Sequence, residues 1–276
     1  MQRGKAMNEA LPEIPKQWIK GLVPTMNDRG FMFEVLDDYA QEFIAFAGST
    51  DDEVLEIGCA YGVATIPALE AGARITASDM DERHLKILRS RVSDEMAERL
   101  TLRQGALPDI DFPDAHFGAL LCSRVLHFLP GKDIDKSVRN FYRWLKPGGR
   151  LYLVADTPFG IWRKFVPTWE SNRAKFKRWP GHMEKPVKYL PYEASSDEVG
   201  PPLMNLLVPE LLERTCLDAG FDIERVGYID RDDFRGDGRM DGRENCGIAA
   251  VKPLESSWRR GLRCKARRLI GALSRP

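Results

Sequence analysis

The segment 54–65 constrains the fold of this chain most strongly. It reads VLEIGCAYGVAT, so an apolar run with one acidic residue is followed directly by Gly58 and Gly62. Such a run predicts a buried strand, a tight turn and a helix, whose free backbone N–H groups face a ligand crevice. The sequence therefore predicts an α/β domain that binds a nucleoside-containing cofactor.

The spacing of the glycines does not fit a nicotinamide cofactor. The dinucleotide fingerprint is Gly-x-Gly-x-x-Gly, and counting from Gly58 its later glycines are replaced by Ala60 and Val63. Glu56, beside the turn, would repel a pyrophosphate but attract an ammonium group or a sulfonium ion. S-adenosylmethionine carries both cations, so the pattern favours this cofactor over a nicotinamide.

Three later segments agree with this interpretation. Residues 74–79 predict a strand that ends in an acid, ~20 residues beyond the turn, where nucleoside-binding folds hold ribose hydroxyls. Residues 112–127 predict a strand and the turn after it, and 145–153 contain Lys-Pro-Gly-Gly before another strand. Together the segments resemble the class I S-adenosylmethionine-dependent methyltransferase family, of the small-molecule type, over about residues 50 to 155.

Strands and helices alternate along the sequence. Strands are predicted at about 53–57, 74–78, 100–104, 117–122 and 149–155, and helices at about 62–71, 82–92 and 133–144. This alternation predicts an α/β fold with a doubly wound, Rossmann-like sheet. The resemblance implies seven mostly parallel strands, the last antiparallel, plus a cap insertion. Ahead of them, apolar residues at three- and four-residue intervals predict a helix over 31–47 that covers the cofactor site.

The sequence divides into five predicted parts. They are an N-terminal arm (1–30), the S-adenosylmethionine-binding core (31–155), a substrate cap insertion (156–205), the C-terminal part of the core sheet (206–253) and a basic amphipathic tail (254–276). A segment as long as 156–205 between two elements is typical of a lid or an insertion.

The predicted cap interleaves aromatic and basic residues. This mixture favours an aromatic or otherwise hydrophobic acceptor that bears an anionic group, with Trp162 and Trp169 as substrate-binding residues. A small satellite core with a solvated basic rim is the alternative.

The resemblance implies a cofactor site drawn from several segments. Glu56 would face the ammonium group, Gly58 and Gly62 would let the backbone approach the methionyl part, and Asp79 would accept hydrogen bonds from both ribose hydroxyls. Asp79 could instead cap the next helix. Met80 would pack on adenine. The other implied contacts are Cys59, Ala60, Tyr61, Ala106, Leu107 and Ser123, and Tyr61 could instead be a core aromatic.

One position departs from the family pattern. Ala106 stands where the family commonly has an aspartate that accepts a hydrogen bond from the adenine amino group. Adenine recognition would then rest on the backbone around Ala106 and Leu107, or on Asp109 reaching back. Because one neutral hydrogen bond contributes only ~1 kcal/mol, this departure does not overturn the cofactor assignment.

The reaction itself requires few protein groups. Methyl transfer from a sulfonium is an in-line displacement that alignment of donor and acceptor accelerates. Where the acceptor must lose a proton, His127, which follows the strand at 117–122, is the candidate general base. Because its neighbours are apolar, a packed histidine is the alternative.

Composition excludes several classes of protein. The formal net charge is zero, which argues against broad binding of nucleic acid. Four histidines and five cysteines lack the spacing of metal ligands, so no metal is expected. No apolar run approaches the ~20 residues of a membrane span, which predicts a cytoplasmic protein. Residues 255–276 carry seven basic residues and one acidic residue, and as an amphipathic helix they would suit an anionic membrane surface or dock on their own domain.

The predicted function is methylation of a small molecule at oxygen, carbon or nitrogen with S-adenosylmethionine as the cofactor. Two alternatives remain open. A nucleic-acid or protein methyltransferase would share the cofactor half, and a non-catalytic S-adenosylmethionine-binding module is compatible with the alanine at position 106.

Overall fold

The structure, a computed structural model, describes residues 11–17, 21–27, 29–190, 200–231, 233 and 240–254. The strands in this part of the chain are β1 (Leu22–Pro24), β2 (Phe31–Phe33), β3 (Val54–Ile57), β4 (Ile75–Asp79), β5 (Leu100–Gln104), β6 (Phe117–Ser123), β7 (Leu145–Asp156), β8 (His182–Glu184), β9 (Leu203–Asn205), β10 (Asp222–Ile229) and β11 (Asn245–Val251). The α-helices are α1 (Asp38–Ala47), α2 (Thr65–Glu70), α3 (Glu82–Arg91), α4 (Asp94–Ala97), α5 (Gly131–Trp144), α6 (Val166–Ala174) and α7 (Pro209–Ala219). Short 3-10 helices lie at Leu126–Phe128, Arg163–Phe165 and Pro186–Tyr189.

Seven strands form one sheet in the order β10-β11-β7-β6-β3-β4-β5. Strands β7, β6, β3, β4 and β5 pair in parallel, whereas β11 pairs antiparallel with both of its neighbours. The strand order reverses beside β3, because the chain continues first to β4 and β5 and then crosses to β6. The predicted doubly wound sheet with an antiparallel last strand is confirmed, and its switch point marks a ligand crevice at the carboxyl ends of β3 and β6.

Helices cover both faces of this sheet. Leu151 and Leu153 of β7 belong to a hydrophobic cluster that includes Phe141 of α5. The alternate residues Tyr152 and Val154 belong to a second cluster, on the side of α1, α2 and α3. Because successive side chains of a strand point to opposite faces, a strand buried on both sides is apolar at nearly every position.

The region before β3 differs from the predicted helix over 31–47. Residues 31–33 pair antiparallel with residues 22–24, which lie in the predicted irregular arm. Helix α1 starts only at Asp38, because the Asp37 carboxylate accepts a hydrogen bond from the Ala40 N–H at 3.1 Å and caps the helix there. The apolar residues of 31–47 are spaced as in a helix, but the hairpin and the Asp37 cap place the start of the helix at Asp38.

Segment 156–205 packs against the sheet. Its side chains Trp162, Phe165 and Trp169 belong to the same hydrophobic cluster as Trp144 of α5. In its described part this segment is therefore continuous with the main core and does not form a satellite core. Its role as a substrate cap stays a prediction.

The predicted membrane contact concerns residues 255–276, which lie outside the described residues. In the part of the chain that the structure covers, no helix combines the length and apolar character needed to cross a bilayer. The cytoplasmic location stays a prediction.

Candidate cofactor and acceptor site

A cavity of about 1190 Å³ opens at the carboxyl ends of β3, β4 and β6. The strand ends form one wall, the β1–β2 hairpin with the residues up to Asp37 forms another, and residues from 156–162, 186–190 and 200–204 complete the lining. Pockets for one small ligand usually have volumes of about 300–1,000 Å³. The cavity can therefore hold two reactants side by side.

Most of the predicted site residues line this cavity. They are Glu56, Gly58, Cys59, Ala60, Asp79, Met80, Ala106, Leu107, Ser123, His127 and Trp162. Three others do not. Tyr61 is buried and its hydroxyl donates to the Pro24 carbonyl at 2.9 Å, Gly62 lies against Leu88, and Trp169 packs edge-on against Phe159.

The turn after β3 requires unusual backbone conformations. Gly58 has φ +78°, and a Cβ there would lie 2.2 Å from Cγ2 of Val125. Ala60, which replaces the usual middle glycine of the motif, has φ +42°. Its N–H donates to Oδ2 of Asp79 at 2.9 Å. The turn therefore holds the ends of β3 and β4 together, and its strained alanine is stabilised by a charged acceptor. The same turn delays the start of α2 from the predicted residue 62 to Thr65.

Asp79 is held in one orientation. Its Oδ1 accepts hydrogen bonds from the Asp81 N–H at 2.9 Å and from Nδ1 of His84 at 3.0 Å. Its Oδ2 accepts only from Ala60 within the described residues, and Asp79 is part of the cavity lining. The N-cap of α3 is Asp81, whose side chain accepts from the Arg83 N–H, so the helix-cap alternative for Asp79 is wrong. The geometry leaves Oδ2 as the oxygen with spare capacity for a ribose hydroxyl.

Glu56 is a buried carboxyl group. The Thr65 hydroxyl donates to its Oε2. Burial raises the pKa of Glu56 to about 7, and the nearby Asp79 carboxylate acts in the same direction. A cation bound beside this carboxyl would lower its pKa again, so the site is suited to an ammonium group.

The segment after β5 contains the residues predicted to recognise adenine. Gly105, Ala106 and Leu107 line the cavity. The Asp109 side chain is 86% exposed and forms an ion pair with Lys136 at 3.1 Å. Asp109 does not line the cavity, so the geometry favours the backbone around Ala106 over Asp109 as the adenine contact.

His127 lies buried in the 3-10 helix after β6. Its Nδ1 accepts the Asp156 N–H at 3.0 Å, and burial lowers its pKa. The hydrogen bond therefore assigns the neutral ring with its proton on Nε2. In this tautomer Nε2 can only donate a hydrogen bond. The geometry therefore favours His127 as a hydrogen-bond donor to the methyl-accepting molecule over His127 as a general base.

Arg124 was not identified from the sequence. It follows β6 with φ +58° and lines the cavity, and its guanidinium lies 4.2 Å from the centre of the Phe33 ring. Its Nη1 is 3.4 Å from Asp37 Oδ2, and its Nη2 donates to Asn245 Oδ1 at 3.0 Å. These partners come from two segments far from Arg124 in the sequence, so no local pattern could have assembled them.

The polar contacts continue from Asn245 to the predicted cap. Asn245 Nδ2 donates to Asp156 Oδ1 at 2.9 Å, and Trp162 Nε1 donates to Asp156 Oδ2 at 3.2 Å. The Trp162 ring in the cavity wall is thereby tied to Asp156, whose N–H donates to His127. No group of three or more potential metal ligands occurs within the described ranges.

Comparison with known proteins agrees with this geometry. Residues 54–149 match the family model described as a methyltransferase domain. The chain is 34% identical over 107 residues to a cypemycin N-terminal methyltransferase of a Streptomyces species, covering 38% of this chain and 42% of the relative. It is 36% identical over 118 residues to a demethylmenaquinone methyltransferase of Tropheryma whipplei, covering 42% and 45%. The matches thus span about half the length of these curated relatives or less.

A solved S-adenosylmethionine-dependent methyltransferase from Methanosarcina mazei has the same fold. Its TM-score is 0.57 at 21% identity, over 80% of this chain and 100% of that chain. The strand order and the glycine turn define a nucleoside-binding α/β protein. Residues 54–149 therefore carry the methyltransferase-domain pattern, and the chain has the fold of the solved S-adenosylmethionine-dependent methyltransferase, in agreement with the resemblance seen in the sequence.

Proposed function

We propose that this protein transfers a methyl group from S-adenosylmethionine to a small-molecule acceptor, at oxygen, carbon or nitrogen. The observation that carries the proposal is the pair of buried carboxyl groups, Glu56 and Asp79, on the two sides of the glycine turn in a cavity for two reactants. S-adenosylmethionine presents an ammonium group and a ribose diol, which are the groups that two such carboxyls would bind.

The residues present fit this cofactor. Glu56 would hold the ammonium group, the backbone at Gly58 would contact the methionyl chain, and Oδ2 of Asp79 would accept a ribose hydroxyl. The remaining proposed contacts are Cys59, Ala60, Met80, Ala106, Leu107 and Ser123. Met80 is 42% exposed at the cavity rim, where it can cover the adenine.

The acceptor end of the cavity is mostly apolar. Its lining includes Phe31, Phe128, Leu129, Ile161, Trp162, Val187, Leu190 and Met204. We infer a hydrophobic or aromatic acceptor with an oxygen that accepts a hydrogen bond from Nε2 of His127. The cap lysines at 164, 175 and 177 are exposed and do not line the cavity, so Arg124 is the better candidate to face an anionic group.

Incubation with methyl-labelled S-adenosylmethionine and fractionated extract tests the proposal. Label should enter a small molecule with the wild type and, at cofactor concentrations below the wild-type Kd, at least about 10-fold more slowly with Asp79→Ala. Calorimetry gives an independent result, because tighter binding of NAD than of S-adenosylhomocysteine would contradict the cofactor assignment.

A peptide amine is the second candidate acceptor, because one relative is named an N-terminal methyltransferase. Label in peptide or total protein would favour it, and label in tRNA would favour the nucleic-acid alternative. Cofactor binding without transfer to any fraction would favour a non-catalytic binding module.

His127 variants distinguish a hydrogen-bond donor from a base. We expect His127→Gln, whose amide can replace the Nε2 donor, to keep kcat within about 10-fold of wild type. His127→Leu removes the donor and should raise KM for the acceptor about 10-fold, with cofactor affinity unchanged. Steady-state kinetics gives both numbers, and a loss of ~100-fold or more in kcat for both variants would establish the base instead.

Trp162 and Trp169 form a matched pair for testing the predicted cap. Trp162→Phe should raise KM for the acceptor roughly fivefold, because the ring shrinks and its bond to Asp156 is lost. Trp169 is not part of the cavity lining. Trp169→Phe should therefore lower the free energy of unfolding by about 1 kcal/mol without changing KM for the acceptor. Equal effects of the two variants on KM would contradict this assignment.

A further inference from the structure

We infer that His84 is a positioning residue that couples docking of the β1–β2 hairpin to the orientation of Asp79. The inference rests on the proposed cofactor. His84 lies in the first turn of α3 and is fully buried. Its two ring nitrogens contact different parts of the site.

The hydrogen bonds define the tautomer of His84. Nε2 lies 3.0 Å from the Met26 backbone nitrogen, which can only donate. Nε2 therefore carries the lone pair and Nδ1 carries the proton. The Nδ1–H donates to Oδ1 of Asp79 at 3.0 Å. This contact fixes the carboxylate so that Oδ2 remains for the cavity.

The hairpin is docked by several contacts around this ring. The Tyr61 hydroxyl donates to the Pro24 carbonyl at 2.9 Å, and Nη2 of Arg83 donates to the Met26 carbonyl at 2.6 Å. Val23 packs with Tyr61 and Ile87 in a small buried cluster. The Tyr61 ring also contacts His84 edge-on, with centroids 5.0 Å apart.

These contacts make hairpin docking and ribose binding interdependent. The docked hairpin holds the tautomer that donates to Asp79, and Asp79 in turn would hold the ribose. By linkage, a cofactor that binds the oriented carboxylate must also stabilise the docked hairpin. Since Pro24, Thr25 and Phe31 line the cavity, docking also closes the site around the reactants.

Two substitutions test the roles of the two His84 ring nitrogens separately. His84→Asn keeps an N–H near the position of Nδ1 and removes the acceptor for Met26. His84→Gln places an amide oxygen near the position of Nε2 and removes the donor to Asp79. S-adenosylhomocysteine is the probe, its 2′,3′-dideoxy analogue reports on ribose recognition, and hydrogen exchange of β1 and β2 reports on docking.

In the wild type we expect S-adenosylhomocysteine to slow exchange in the hairpin strands. His84→Gln should bind it roughly 10-fold more weakly and discriminate less against the dideoxy analogue, with unchanged hairpin exchange in the free protein. His84→Asn should exchange faster in the hairpin and retain the discrimination. Identical behaviour of the two variants, whether like the wild type or equally impaired, would overturn the inference.

Tyr61→Phe provides a test that leaves His84 intact. Without the hydroxyl bond to Pro24, the hairpin should exchange faster and S-adenosylhomocysteine should bind about threefold more weakly. Faster exchange with unchanged affinity would overturn the coupling even if both His84 variants fail to fold. Failure of the wild type to bind S-adenosylhomocysteine would instead overturn the proposed function.

Discussion

Glu56→Gln is expected to raise the stability of the protein above pH 7 and to weaken cofactor binding. The pKa of Glu56 is about 7 in the folded protein against 4.5 for an ordinary glutamate. The folded state therefore prefers the neutral carboxyl, and the cost of ionising it grows as pH rises from about 4.5 to 7 and is complete above 7. The difference amounts to about 3 kcal/mol.

Chemical denaturation at several pH values measures this effect. We expect the free energy of unfolding of Glu56→Gln to exceed that of the wild type by up to about 3 kcal/mol at pH 8 and to match it below pH 4.5. A variant that is less stable than the wild type at pH 8 would contradict the assigned burial cost.

The same substitution should weaken S-adenosylhomocysteine binding roughly 30-fold at pH 8, because a carboxylate paired with an ammonium group contributes about 2 kcal/mol. In the wild type, binding should strengthen as pH rises towards 7, because Glu56 must ionise to hold the cation. Glu56→Gln should lose this dependence.

Glu53→Gln is the control for this experiment. Glu53 lies just ahead of β3 and accepts a hydrogen bond from Thr76, but it does not line the cavity. Its substitution should leave cofactor affinity and its pH dependence unchanged. Equal losses for both variants would show that the effect is not local to Glu56.

Asp79→Ala is expected to weaken binding of S-adenosylmethionine and S-adenosylhomocysteine by about 1.5–3 kcal/mol, or roughly 10- to 150-fold. A ribose hydroxyl loses a charged acceptor, and the Ala60 and Asp81 N–H groups lose theirs as well. Stability should therefore fall together with affinity, because these donors are left unsatisfied.

Asp79→Asn separates the two effects. The amide oxygen still accepts one hydrogen bond, so we expect most of the stability and only part of the affinity to be kept. Asp81→Ala is the matched control, because it removes the cap of α3 without touching the cavity lining. Calorimetry measures the cofactor affinity of all three variants. Wild-type affinity in Asp79→Ala would show that Asp79 does not bind the ribose.

The sheet could be predicted from sequence because its signals are local. Apolar runs such as Leu151–Leu153 and the turn at Gly58 depend on neighbouring residues and on backbone sterics alone. The acidic end of β4 at Asp79 also has a fixed distance from the turn. The fold and the resemblance to methyltransferases therefore followed from segments of a few residues each.

The remaining features depend on contacts between distant segments. Met32 and Leu36 are spaced as on one face of a helix, yet residues 31–33 pair with residues 22–24 and form a hairpin. The sequence pattern does not distinguish Trp162 from Trp169, because which of the two rings lines the cavity is determined only by packing against the folded sheet. The tautomer of His127 depends on the N–H of Asp156, 29 residues away.

The reversed direction of β11 has a consequence for how this protein can diversify. Because β11 runs against its neighbours, its first residue, Asn245, lies opposite Asp156, the last residue of β7. The start of β11 thus lies at the edge of the sheet where the cavity opens, while most of the proposed cofactor contacts precede residue 110. We therefore expect sequence changes ahead of β11 to alter the acceptor end of the cavity with little effect on most of the proposed cofactor contacts.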